Sequence, residues 1–329
     1  MKPKVKSPVL WPLVGLAALV LLNAAFDAGF LKIVLRDGHF YGVPIDILTQ
    51  GSRTMLVALG MTLVIATGGI DLSVGSVVAI AGAVCATLLH QGTGLAVTVA
   101  AAVGAGLLAG SANAFLVARL GLQPIVATLI LMVAGRGVAQ LIVDGQVVFI
   151  THAGFEYFAN GFLLGLPFAP LLVAALYTAT HFALRRTALG LFIEAVGDNE
   201  TASRFAGLAA TRIKAFTYVF CGACAGLAGV LAASNIRAGD AYRAGENMEL
   251  DAIFAVVVGG TALTGGRFTI LGTAIGALLI QTLTTTMYNL GVPPAIAPVP
   301  KALLIIGVAL LQSEKVGRWL GGRWKREAA

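Results

Sequence analysis

Runs of about twenty residues with hardly a polar interruption recur along this chain. No other feature constrains its fold as strongly. A run of that length is what a helix needs to cross the ~30 Å hydrocarbon core of a bilayer. In lipid, every backbone N–H and C=O must be bonded internally, which leaves only helices and closed barrels. Barrel strands would alternate over about ten residues, and no such alternation is present. Charged residues make up 11% of the chain and hydrophobic residues 58%, against about 25% charged in a soluble domain. So little charge cannot cover a soluble globule. The sequence therefore predicts an all-α polytopic membrane protein.

Ten spans are expected, at about 9–31, 46–67, 73–90, 94–118, 124–143, 162–184, 213–234, 250–265, 268–289 and 298–313. Several are short or broken by glycine. The first is too long in its apolar run for a cleaved leader. The basic residues sort by side. Lys2, Lys4, Lys6, Arg119, Arg185, Arg186, Arg204, Arg212, Lys214, Arg267, Lys315, Arg318, Arg323, Lys325 and Arg326 fall on one side, and only Lys32, Arg36, Arg237 and Arg243 on the other. This places both termini in the cytoplasm. The organisation is a cytoplasmic tail over 1–8, one transmembrane domain over 9–313 with a cytoplasmic loop over 185–212, and a basic cytoplasmic tail over 314–329. The net charge of +7 reads as topology and contact with anionic membrane lipid. Basic residues scattered over loops make no nucleic-acid surface.

A central arginine costs roughly 2.5–3.5 kcal/mol on insertion scales, so charges at membrane depth need a partner or a cavity. Arg53 and Lys301 lie early enough in their spans to snorkel. Arg136 and Gln140, four apart, share a helix face, which either lines a path or bonds another helix. Asn113 also lies at membrane depth. No span carries a central carboxylate or histidine arrangement suited to a proton relay, and no GxxxxGK[ST] phosphate loop exists. No catalytic cluster and no metal site are expected. Cys221 and Cys224 sit in an apolar helix beside Gly222, which reads as packing. The small-xxx-small pairs Gly106/Gly110, Gly222/Gly226 and Gly272/Gly276 point to close helix contacts, within the bundle or at a dimer seam.

Two kinds of loop stand out. In 185–212, Asp198 or Asn199 can cap a short helix with Glu200 in its first turn. Gly207 can end that helix, and Phe205 and Leu208 would give it an apolar side. Such a helix either lies on the membrane or docks in a partner's groove. Between spans two and three, Thr67-Gly68-Gly69-Ile70-Asp71-Leu72-Ser73-Val74-Gly75 breaks the helix, with Asp71 or Ser73 able to cap the next. Gly259-Gly260-Thr261-Ala262-Leu263-Thr264-Gly265-Gly266 echoes it between spans eight and nine and suggests a short internal duplication. Broken helices let backbone groups line a water-filled path.

Gly60-Met61-Thr62-Leu63-Val64-Ile65-Ala66-Thr67 running into Gly-Gly-Ile-Asp-Leu-Ser-Val-Gly resembles the signature of ribose-type ABC importer permeases. So do the stretch from Glu194 to Gly207, and Asp251-Ala252-Ile253-Phe254-Ala255-Val256-Val257-Val258-Gly259-Gly260 with Gly265-Gly266-Arg267. The resemblance covers roughly residues 45–312. Within the family it is strongest to permeases of galactofuranose importers, through Pro44 to Leu48, Gln123 to Ile142 and Thr187 to Gly197. It implies a transport subunit rather than an enzyme, in the cell inner membrane. Its partners would be a paralogous second permease, a cytoplasmic ATPase that binds the ATP and Mg, and a periplasmic sugar-binding protein. This chain would hold no cofactor. The resemblance implies ATPase coupling for Glu194, Ala195, Gly197, Asp198, Asn199, Ala202 and Gly207. Candidates for the translocation pathway are Thr62, Thr67, Gly68, Gly69, Asp71, Ser73, Asn113, Thr128, Arg136, Gln140, Gly259 and Gly260. A permease for ribose or another pentose or hexose is the nearest alternative, and a secondary sugar carrier is the alternative of another class.

Overall fold

The computed structural model describes residues 9–293, 296 and 298–312. The expected tails over 1–8 and 314–329 lie outside the described residues. The chain begins with α1 (Leu10–Phe26) and a hairpin of β1 (Val34–Arg36) and β2 (His39–Tyr41). Asp37 and Gly38 turn that hairpin at φ +51° and +76°, the left-handed conformations that a two-residue turn requires. Then follow α2 (Val43–Ala66), α3 (Val74–His90), α4 (Leu95–Ala114) and a π-helical turn (Phe115–Arg119) that prolongs α4. Next come α5 (Pro124–Ile142), β3 (Val148–Phe149), α6 (Ala153–Asn160), β4 (Phe162–Leu163), β5 (Leu166–Pro167) and α7 (Phe168–Arg186). The remainder is α8 (Leu189–Asp198), α9 (Glu200–Phe205), α10 (Ala210–Ile236), β6 (Ala238–Gly239), α11 (Met248–Val258), α12 (Ile270–Asn289) and α13 (Pro298–Gln312).

Six of these helices are long and apolar enough to cross a membrane: α2, α4 with its π turn, α5, α7, α10 and α12. The apolar helices α1 and α3 have 17 residues each. The expected span 250–265 is cut short, because Gly259 and Gly260 end α11 at Val258 after 11 residues. The expected start of span six at 162 moves to 168, since 162–167 pair as the small hairpin β4–β5. Both corrections come from turn-forming residues inside stretches that are apolar by composition.

Two helices form the centre. α10 packs against α4, α2 and α3, while α12 and α11 close on α2 from another side. Glycine sets the close approaches. A Cβ at Gly106 would lie 2.3 Å from the Gly222 carbonyl oxygen, and one at Gly222 would lie 2.2 Å from the Gly106 oxygen. Gly276 meets the Ala255 oxygen at 2.2 Å in the same way. The small-residue pairs thus seam α4 to α10 and α11 to α12 within one bundle, where small side chains let backbones touch. Cys221 and Cys224 are buried and flank Gly60 of α2, so the CxxC packs helices together.

Candidate functional site

The residues singled out from sequence assemble around the C-terminal end of α2. Thr67 ends this helix, and the Gly68 and Gly69 amides donate back to the Ile65 and Val64 carbonyls at 2.8 and 3.1 Å. Gly68 takes φ +77°, so the helix stops in a Schellman cap. α11 stops the same way: Gly260 and Thr261 donate to Val257 and Val256 at 3.0 and 3.2 Å, with Gly260 at φ +93°. The echo seen in sequence is therefore an echo of geometry, offset by one residue. The left-handed position is the first glycine of one pair and the second of the other.

The two caps and the loop over 185–212 meet. The Gly266 amide donates to the Ala66 carbonyl at 2.9 Å. Over that bond sits Gly197, where a Cβ would come 1.8 Å from the Ala66 oxygen and 2.5 Å from the Gly266 nitrogen. Gly265, at φ +89°, would bring a Cβ to 2.8 Å from the Gly197 oxygen and 2.9 Å from the Gly68 nitrogen. Backbone thus lies on backbone where three separate stretches cross, and Asp198 flanks Gly266 at van der Waals distance. Gly259 packs against the Gly272 backbone of α12.

The segment carrying Gly197 holds two helices where the sequence suggested one. α8 bears Glu194, Ala195, Gly197 and Asp198. Asn199 then caps α9, its Oδ1 accepting from the Ala202 amide at 2.9 Å. Gly207 ends α9 at φ +86°. The Ser203 hydroxyl donates to the Ala195 carbonyl at 2.8 Å, tying α9 back onto α8. Glu200 is gripped by Arg204 at 2.7 Å and by Lys214 of α10. Partial burial pushes its carboxyl up, but these two cations outweigh that and hold it below the usual 4.5. Phe205 and Leu208 do not form one apolar side: Leu208 packs on the core, whereas Phe205 is 90% exposed. Beside α8 lies a cleft of about 300 Å³ lined by His181, Arg185, Glu194, Phe268 and Leu271.

Behind the crossing, the other polar candidates bond one another. Asp71 Oδ1 accepts from the Ser73 amide at 2.9 Å, the Ser73 hydroxyl at 2.6 Å and Asn113 Nδ2 at 3.1 Å. Thr128 Oγ1 accepts from the Leu72 amide at 3.1 Å and donates to the Pro124 carbonyl at 2.9 Å. Thr62 pairs with Thr273 of α12 at 2.9 Å, and Thr67 with Thr217 at 3.4 Å. Thr62, Thr67, Asp71, Ser73, Asn113 and Thr128 are all buried. In this conformation they hold the broken segment onto α4, α5, α10 and α12. Among the described residues, Asn113 Oδ1 and the Tyr218 hydroxyl, also buried, have no hydrogen-bond partner.

Arg136 and Gln140 stand apart from this group. Arg136 Nη1 donates to the Ala241 and Ala244 carbonyls at 3.1 and 2.6 Å, in the loop that follows β6. Lys301 does not need to snorkel, because it grips both oxygens of Asp251 at 2.9 and 2.8 Å. Sequence reasoning left Ala66, Tyr218 and the Lys301–Asp251 pair unmarked, and no local pattern distinguishes any of them.

The family described as branched-chain amino acid transport system / permease component matches residues 43–310, which takes in every stretch just described. The chain belongs to this permease family. The galactofuranose transporter permease protein YtfT of Escherichia coli (strain K12) is 48% identical to the permease over 311 residues, 93% of this chain and 91% of that protein. The fructose import permease protein FruF of Bifidobacterium longum (strain NCC 2705) is 37% identical, covering 100% of this chain and 94% of its own length. The ribose import permease protein RbsC of Escherichia coli (strain K12) is 39% identical over 82% and 85%. No solved structure matches the permease. It is a multi-pass membrane transport component and not an enzyme.

Proposed function

We propose that this permease carries a monosaccharide inward across the cell inner membrane as part of an ATP-driven importer, with galactofuranose as the first candidate sugar. Support comes from the 48% identity to a galactofuranose permease, beside fructose and ribose permeases at 37% and 39%. On this reading the chain crosses the membrane ten times through α1 to α5, α7 and α10 to α13, with both termini cytoplasmic. A separate cytoplasmic ATPase binds ATP and Mg, a periplasmic protein delivers the sugar, and a paralogous second permease completes the membrane unit.

One observation carries the mechanism: Gly197 seats α8 directly on the hydrogen bond between Ala66 and Gly266. α8 and α9, with Glu194, Ala195, Asp198, Asn199, Ala202 and Gly207, are the lever that an ATPase cleft moves. The caps around Gly68, Gly69, Gly259 and Gly260 are where that motion enters the bundle. Packed elements without voids pass on a displacement instead of absorbing it. Thr62, Thr67, Asp71, Ser73, Asn113 and Thr128 are exposed to the sugar as the broken segment moves. Arg136 and Gln140 serve the far end of the path.

Gly197→Val tests the reading. In proteoliposomes bearing the assembled importer, the variant is expected to hydrolyse ATP while sugar uptake drops at least about tenfold, or 1.4 kcal/mol. Normal uptake in a normally assembled complex removes the coupling role. Uptake abolished by an ionophore at constant ATP would favour a secondary carrier instead.

A further inference from the structure

The first three turns of α2 carry an arrangement that the junction above does not use. Asp46, Thr49, Gln50 and Arg53 recur at i, i+3, i+4 and i+7, so they share one helix face. Asp46 is exposed, and Thr49, Gln50 and Arg53 are half-buried. Below them Leu56 and Val57 are completely buried. Leu48, on the opposite side, is 37% exposed. The start of α2 therefore has one apolar accessible face and one polar accessible face, and only the apolar one suits hydrocarbon. Arg53 lies about 15 Å along the helix from Val43. Among the described residues its guanidinium has one side-chain partner, Gln50 Oε1 at 2.5 Å, and takes part in no ion pair. Contrast Lys301, which has Asp251, and Arg136, which has two backbone carbonyls. A guanidinium offers five donors in a planar fork. Donors left idle at this depth are costly unless water or a ligand takes them.

We propose that this face of α2 lines a water-filled vestibule and that Arg53, at its floor, binds the transported sugar by donating to an adjacent pair of ring hydroxyls. The substrate class rests on the importer reading above; the vestibule does not. The fork matches two neighbouring oxygens, and Gln50 fixes its direction. Leu56 and Val57 close the bottom, so the sugar halts at Arg53 until α2 moves.

The test is thiol labelling of the intact transporter, in membranes opened so that a charged reagent reaches both faces. Cys85, Cys221 and Cys224 are buried, so the unmodified chain is the blank. Thr49→Cys is expected to label and Leu56→Cys to stay unlabelled. Galactofuranose, ribose and fructose are added singly, and at least one should slow Thr49→Cys labelling about tenfold. Adding Arg53→Met should abolish that protection, and Arg53→Lys, which keeps charge without the fork, should not restore it. Absence of labelling at Thr49→Cys overturns the vestibule. Labelling that no sugar slows, or protection that survives Arg53→Met or Arg53→Lys, overturns the role of Arg53. Sugar uptake by the unmodified transporter is measured in parallel. Uptake without protection sinks this proposal alone, whereas protection without ATP-dependent uptake sinks the importer reading and keeps the binding surface.

Discussion

At the scale of single residues, the most informative groups are polar atoms that are satisfied, or not, away from water. The Tyr218 hydroxyl is buried with no partner among the described residues, and a buried donor left unmade costs roughly 1–3 kcal/mol. Tyr218→Phe is therefore expected to raise the melting temperature of the purified permease, and a lowered one would mean that the hydroxyl has a partner. Lys301 and Asp251 behave oppositely. Their side chains are 14% and 20% exposed, and removing one partner strands the other charge. Lys301→Met should cost about 2 kcal/mol, and Lys301→Met with Asp251→Leu should recover most of it; equal losses in single and double variants would deny the coupling. Glu200 gives a pH signature. Its folded value lies below 4.5, so its contribution to holding α9 is fully present above that ordinary value and is lost as pH falls through the lowered one. Hydrogen-exchange protection over 199–209, after correction for the intrinsic pH dependence of amide exchange, should be flat from about pH 8 to about pH 5 and fall only in more acid solution. The Lys301–Asp251 pair is not legible in the sequence, since its members stand 50 residues apart. The Asn199 cap and the Gly207 stop are legible, because capping is local chemistry.

At the scale of elements, glycine decides which helices touch. Gly222 meets the Gly106 backbone with no room for a methyl group, while Gly104 on the same α4 has nothing within 4 Å of its Cβ position. Gly222→Leu is expected to prevent recovery of folded permease, overpacking being worth about 1–3 kcal/mol or more against backbone. Gly104→Ala should be tolerated in the same thermal assay, and equal tolerance of both would refute the seam. The spacing of Gly106, Gly110, Gly222 and Gly226 was readable, but not which pairs would meet. α8 was missed as a helix separate from α9 because the loop over 185–212 offered a recognisable cap only at Asp198 or Asn199, and the start of α8 has no side-chain cap. α11 looks like a full span until Gly260 takes its left-handed turn. In α11 composition is continuous and only backbone conformation breaks.

At the scale of the whole molecule, the bundle has two unlike ends. At one, the caps of α2 and α11 cross beneath α8. At the other, β3 pairs with β6, and Arg136 fastens the loop that follows β6 to α5. The proposed topology puts the first end in the cytoplasm, so reporter enzymes fused after residue 6 and after residue 326 should both report cytoplasm, and opposite sides would overturn it. The helical fold class followed from hydropathy and the echo between the two glycine stretches from motif, but not that the two stretches meet. The crossing itself did not, because Gly197 is an ordinary helical glycine until the Ala66 carbonyl is seen beneath it. That contact and Arg53 belong to the same 24-residue rod, about 20 Å apart. A stiff member gripped at its foot and loaded at its waist cannot shift at one point and rest at the other. Whatever strikes Gly197 must also tug on whatever Arg53 is holding.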